Sequence, residues 1–260
     1  MRLTNKYHML LNNIMKKISK AFDRSINIYS SIFPLTLGFS IFIFCSIVLL
    51  PLVSSYLNVG SAFLRFSSIL YDMTIFQATL FILVGILSLM FLSLFLAAII
   101  TTIKMKETMD HFRFVKVWSA FPDYVLRMFF MLLLLSVVSI GIGVLLEAAT
   151  VPRALIQLVL ACVWLPFVFA PQILILEDLG VIEALGDSYN FVRKSLKELA
   201  AYIVLGLVLL FLLAMLEFGL SAFFTWQHKL LSIVIVSIGI LPFLQVFATE
   251  LYLMRYPLQH

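Results

Sequence analysis

From Ile32 to Leu57 the chain carries no charged residue. A helix needs about 20 residues to cross the hydrocarbon core of a bilayer. At that depth the backbone must satisfy its own hydrogen bonds, which selects helix for an isolated apolar run. Five more long apolar runs follow, over about 75–102, 124–146, 154–176, 200–224 and 230–253, with Arg127, Glu217 and Glu250 as their charges. The expected fold is therefore all-α, a polytopic membrane bundle of six transmembrane helices forming one integral membrane domain, 1–260. Composition agrees: 63% of the residues are hydrophobic and 12% charged. A soluble globule is about half apolar, so this chain cannot cover a water-facing surface and lipid must be its solvent.

The cations set an expected topology. Of the 18 Lys and Arg, only Arg65, Arg153 and Lys229 fall in the turns after the first, third and fifth runs. All the others fall on the opposite side, with the N-terminus. By the positive-inside rule this places both termini in the cytoplasm of a cell-membrane protein. The net charge of +5 is thereby a topological signal, and nucleic acid is not an expected partner. Charges continue through Arg24, too far into the chain for the n-region of a cleavable signal peptide.

Glu177 to Leu199 is the clearest interfacial segment. Leu185, Tyr189, Val192, Leu196 and Leu199 step by four and three residues, which predicts one apolar helical face. Acidic residues come first and basic ones last, matching the helix dipole. Asp178 is the expected N-cap. An amphipathic helix between two spans should lie in the interface, either anchoring the spans or presenting a docking surface, with Asn190, Arg193 and Lys197 outward. A second interfacial helix, basic on one side, is expected from Asn12 towards the first span. A short surface helix is expected within 58–74, and Pro122 should mark a boundary before the third span.

The sequence also echoes itself. Ala21-Phe22-Asp23-Arg24-Ser25-Ile26-Asn27 resembles Ala184-Leu185-Gly186-Asp187-Ser188-Tyr189-Asn190. Leu165-Pro166-Phe167 matches Leu241-Pro242-Phe243, and Phe169-Ala170-Pro171-Gln172 resembles Phe247-Ala248-Thr249-Glu250. The expected arrangement is three parallel units, 12–104, 105–177 and 178–256. Each is an interfacial helix followed by a two-span hairpin, and the middle interfacial copy, Met105 to Asp123, is degenerate.

Asp178, Glu183, Ala184 and Ser188, following the fourth-span exit, carry a resemblance to prokaryotic integral membrane families of unknown function. These families are similar to the membrane domain found beside glycerophosphodiester phosphodiesterases. The resemblance implies the same layout, an even span ending near an acidic residue and a short helix leading into the next span. It implies no chemistry, because nothing here corresponds to the phosphodiesterase catalytic domain.

Polar residues within the spans are the remaining candidates. Glu250 is either a functional intramembrane acid or an interface-level residue paired with Arg255. Gln172 and Gln245 form either an interhelical hydrogen-bonded seam or part of a ligand path. Glu217 lies deep enough in the fifth span to serve conduction if it faces a cavity. His8, His111, His228 and His260 are scattered over both sides, so neither a metal site nor a Ser-His-acid set is expected. Cys45 and Cys162 sit in apolar runs and suit packing or lipid contact. No cofactor motif is present. The leading expectation is a non-enzymatic membrane scaffold, assembly factor or partner-binding subunit, with membrane lipids and either a protein partner or a second copy of the chain as contacts. The alternative is a small permease or lipid-handling transporter, for which the proline-interrupted even spans and their polar residues speak.

Overall fold

The computed structural model describes residues 2–54, 75–108, 114–224 and 227–257. The surface helix expected within 58–74 lies outside the described residues. The described residues form an all-α, multi-pass bundle. Six helical segments are long and apolar enough to cross a membrane: Lys16–Leu49, Ile82–Thr108, Pro122–Ala148, Ala154–Leu176, Leu196–Ser221 and Lys229–Leu253.

The first span belongs to α1 (Arg2–Ser54), which also takes in the basic N-terminal segment without a break. At 1.5 Å per residue α1 is about 80 Å long, more than twice the hydrocarbon thickness of about 30 Å. The separate interfacial helix expected from Asn12 is thus the first half of one long helix. Its inner side carries Ala21, Ser25, Ile28 and Ile32, all buried. The second span is α2 (Ile75–Thr108) and the third is α3 (Phe114–Ala148). Pro122 lies inside α3 instead of bounding it, so the helix passes through at the loss of one backbone hydrogen bond. The expected middle interfacial helix is consequently divided between the end of α2 and the start of α3.

The even spans that follow are interrupted where proline removes backbone donors. The fourth consists of α4 (Arg153–Trp164), a 3-10 turn (Leu165–Phe167) and α5 (Ala170–Leu176). The sixth consists of α8 (Gln227–Ile235), a π turn (Val236–Ile240) and α9 (Leu241–Leu253). Between them lie α6 (Val181–Lys194) and the fifth span, α7 (Leu196–Ser221), parted at Ser195.

Most of the described cations, Lys17, Arg24, Lys104, Arg127, Arg193, Lys197 and Arg255 among them, lie at one end of the bundle, called here the basic end. The core lies in that half. The last turns of α2, α5 and α9 pack on one another, and α1 and α3 flank them. Phe95, Phe169 and Phe247, one from each even span, are fully buried, as are Ile99, Ile100, Ile173, Leu174 and Leu251. Towards the other end the surface turns apolar and open, with Leu80, Leu83, Ile86 and Met90 of α2 exposed. That surface is suited to lipid contact. The fifth span is the extreme case: of α7 only Leu199 is buried. Polar side chains link neighbouring spans directly. Ser46 and Ser88 exchange hydroxyl-to-carbonyl bonds of 2.9 and 3.1 Å between α1 and α2. The Trp164 indole donates to Ser139 Oγ at 2.8 Å.

Candidate functional site

Breaks in a membrane helix leave carbonyls without donors, and in lipid a neighbouring side chain must take over. The Ile238 carbonyl would bond to the nitrogen of residue 242 in an α-helix, but that residue is Pro242. The Tyr29 hydroxyl of α1 donates to it instead, at 2.6 Å. At the other break Ser188 of α6 donates to the Pro166 carbonyl at 2.8 Å. Just beyond, the Gln172 and Gln245 amides lie 2.9 Å apart, joining the fourth and sixth spans. With its nitrogen turned towards the Val168 and Phe169 carbonyls at 3.2 Å, Gln172 serves the break on its own helix as well.

The exit of the fourth span is built as a C-cap. Asp178 has φ of 55°, the left-handed conformation that follows a helix end, and Leu179 N–H donates back to the Leu174 carbonyl at 3.2 Å. Lys104 donates to the Ile175 carbonyl, so a cation closes this C-terminus. Asp178 is therefore not the N-cap of α6. Gly180 begins that helix, with its N–H donating to Glu183 Oε2 at 3.1 Å. The Asp178 carboxylate instead meets Arg127 of α3 at 2.9 Å.

On α9, Glu250 is fully buried, and Arg24 Nε of α1 lies 3.1 Å from its Oε2. Neither carboxylate oxygen has a hydrogen-bond partner among the described residues. The same Arg24 pairs with Glu107 of α2, and Lys106 donates to Ser31 of α1. Glu250 thus joins three helices in an ion cluster at the basic end. It is not paired with Arg255, which lies 3.6 Å from Glu198. Burying such a pair is costly in itself, but removing one partner costs more, since a buried charge is then stranded.

The buried face of α6 consists of Ala184, Leu185, Ser188, Phe191 and Val192. It packs against the fourth span, with the Phe191 ring 4.8 Å from that of Phe169. This corrects the expected face: Tyr189 and Leu196 are exposed, and Leu196 and Leu199 belong to α7. Asn190, Arg193 and Lys197 are all exposed at the basic end. Arg193 and Lys197 border a cavity there, together with Lys17 of α1 and Arg255. Glu217 is half-buried near the far end of α7, well away in sequence from the α6–α7 junction.

The structure therefore joins Gln172 to Gln245, groups Arg193 with Lys197, and puts Glu250 and Glu217 in separate surroundings. Sequence reasoning counts Arg24 and Lys17 only as topological cations and does not single out Glu107. Their only signal was an excess of charge on one side of the spans. Among the described residues no group of His, Cys, Asp and Glu could hold a metal ion, and Cys45 and Cys162 are both free. No family model, curated protein or solved structure matches the chain.

Proposed function

We propose that this is a non-enzymatic component of the cell membrane that binds a protein partner at its basic end, with both termini in the cytoplasm. The observation that carries this reading is the fixed outward face of α6. Its inner face is held by the Ser188–Pro166 bond and the Phe191–Phe169 contact. Its outer face therefore presents Ile182, Tyr189, Asn190 and Arg193 as a rigid surface, with Lys197 one turn on. Ile182 is 73% exposed on that outer face. The charge distribution supports the orientation. The test is recovery of a native complex from membranes under gentle detergent. Alanine at Asn190, Arg193 and Lys197 together is expected to release a stoichiometric partner. Undiminished recovery of that partner, or its absence from the unaltered protein, refutes the reading.

A threefold parallel repeat accounts for how this surface is organised. Of the identical positions of the two echoing segments, Ala21, Ser25, Ala184 and Ser188 are fully buried and Asn27 and Asn190 are both exposed. Both Leu-Pro-Phe motifs fall at a break in an even span. In support, α6 lies on the fourth span and α3 on the second, while α1 packs on both the second and the sixth. On this reading each unit leans on the even span of the preceding one. The likeness to prokaryotic integral membrane families, carried by Asp178, Glu183, Ala184 and Ser188, belongs with this reading.

A second reading, a small permease or lipid-handling transporter, draws on the Gln172–Gln245 contact at the helix breaks and on buried Glu250. Its test is solute or lipid flux in reconstituted vesicles with Glu250→Gln, Gln172→Leu and Gln245→Leu. Flux unaffected by all three removes its basis.

A further inference from the structure

Where α6 hands over to α7, the chain breaks at Ser195, and α9 ends alongside against α1. The three meet around a cavity of about 480 Å³. Its wall carries five cations, Lys17, Arg193, Lys194, Lys197 and Arg255, and one acid, Glu198. The acid is already engaged by Arg255. Lys17, Arg193, Lys194 and Lys197 have no carboxylate partner among the described residues. Five like charges around one hollow repel one another, and a bound anion relieves that repulsion. The rest of the lining is apolar: Ile18, Leu196, Leu251 and Met254.

We propose that this cavity is a binding site for the phosphate headgroup of an anionic phospholipid. The shared chemistry is a phosphate ester, for which two guanidinium forks and three ammonium groups are suited donors. The source is argued from position. The cavity lies where a span begins at Leu196 and another ends at Leu253, the level of lipid headgroups in a bilayer. Leu196 is 63% exposed and opens onto the lipid-facing side of α7, where Val204, Leu207 and Phe211 are exposed in turn. A phosphate held by the cations can therefore run its acyl chains down that apolar face. A free anion would use only the polar half of the lining, and an acidic peptide would have to lie against the exposed apolar side chains. The site needs no protein partner and goes beyond the docking reading.

The test uses the full chain, purified in neutral detergent and placed in bilayers of phosphatidylcholine with graded phosphatidylglycerol. Native mass spectrometry reads bound lipid, and thermal unfolding reads stabilisation. Lys17→Gln with Lys194→Gln removes two cavity cations that the docking test leaves intact, and it relieves repulsion, so the fold is not endangered. Each charge near the surface is worth about 1 kcal/mol, or roughly five-fold, so affinity for phosphatidylglycerol should fall roughly 25-fold. Lys20→Gln, an exposed cation that does not line the cavity, should leave it unchanged. Recovery of the native partner complex should also be unchanged in the double variant, which separates failure here from failure of the docking reading. Three outcomes overturn the proposal: equal lipid retention by the double variant, an equal loss with Lys20→Gln, and equal stabilisation by inorganic phosphate or an acidic peptide in phosphatidylcholine alone.

Discussion

The hydroxyl of Tyr29 donates to the carbonyl of Ile238 at 2.6 Å, and the nitrogen an α-helix would offer that carbonyl belongs to Pro242. A donor missing from one helix is thus supplied by another, distant in sequence. The π turn over Val236–Ile240 widens the backbone just there, so the carbonyl is open to a neighbour. Tyr29→Phe is expected to cost about 1 kcal/mol, since it leaves a partly buried carbonyl unserved. Pro242→Ala restores an N–H on the same helix. The cost of Tyr29→Phe should therefore shrink markedly in the Pro242→Ala background. Thermal unfolding of the four proteins in one detergent provides the cycle, and strict additivity would show that the two residues are not coupled.

Arg24 and Glu250 should behave asymmetrically. Arg24→Ala strands a fully buried carboxylate and should cost about 2 kcal/mol, below the 3–5 typical of such losses because Arg24 itself is half-exposed. Glu250→Gln removes the charge and should be nearly neutral. The double change should recover most of the loss. Equal destabilisation by the two single variants would contradict a buried charge held by one partner.

Gln172 is expected to matter more than Gln245. Gln245→Leu removes one interhelical hydrogen bond, worth about 0.6 kcal/mol on average in membrane proteins. Gln172→Leu also withdraws the amide from the Val168 and Phe169 carbonyls, and its cost should be about twice as large. Denaturation in mixed micelles ranks the two, and the opposite order would count against this role for the Gln172 amide.

Asp178 combines a left-handed backbone with a charge contact. Asp178→Ala loses the Arg127 partner and retains the unfavourable φ without a side chain suited to it, at about 1 kcal/mol. Asp178→Gly loses the same partner but relaxes the backbone, so it should be close to neutral. Both follow from comparing melting temperatures. A glycine variant no better than alanine would mean that the charge, not the backbone, decides this position.

The spans were legible because an uncharged run such as Ile32 to Leu57 has few fates in water or lipid. The fourth-span break was legible because Pro166 and Pro171 remove donors wherever they sit. The face of α6 was not. Its three-and-four spacing fits two overlapping stripes, and a small hydroxyl residue, Ser188, takes the buried place that size alone gives to Tyr189. Nor was the reach of Arg24 to Glu250 legible. Contacts between helices distant in the chain leave no period in either, and Arg255 was the nearer cation in sequence. Asp178 misleads because Asp is also a good N-cap, and only the backbone angle distinguishes the end of one helix from the start of the next.

The packing of α9 against both α1 and α2 carries a consequence for biosynthesis. Ribosomes deliver α1 to the membrane well before α9 is made, so Arg24 arrives while its buried counter-ion does not yet exist. A chain stalled after its second span but before Glu250 leaves Arg24 with Glu107 alone and displays a vacant seat between its first two spans. Completion of the chain is thereby marked by the arrival of Glu250 beside Arg24, when the last span closes over the first two.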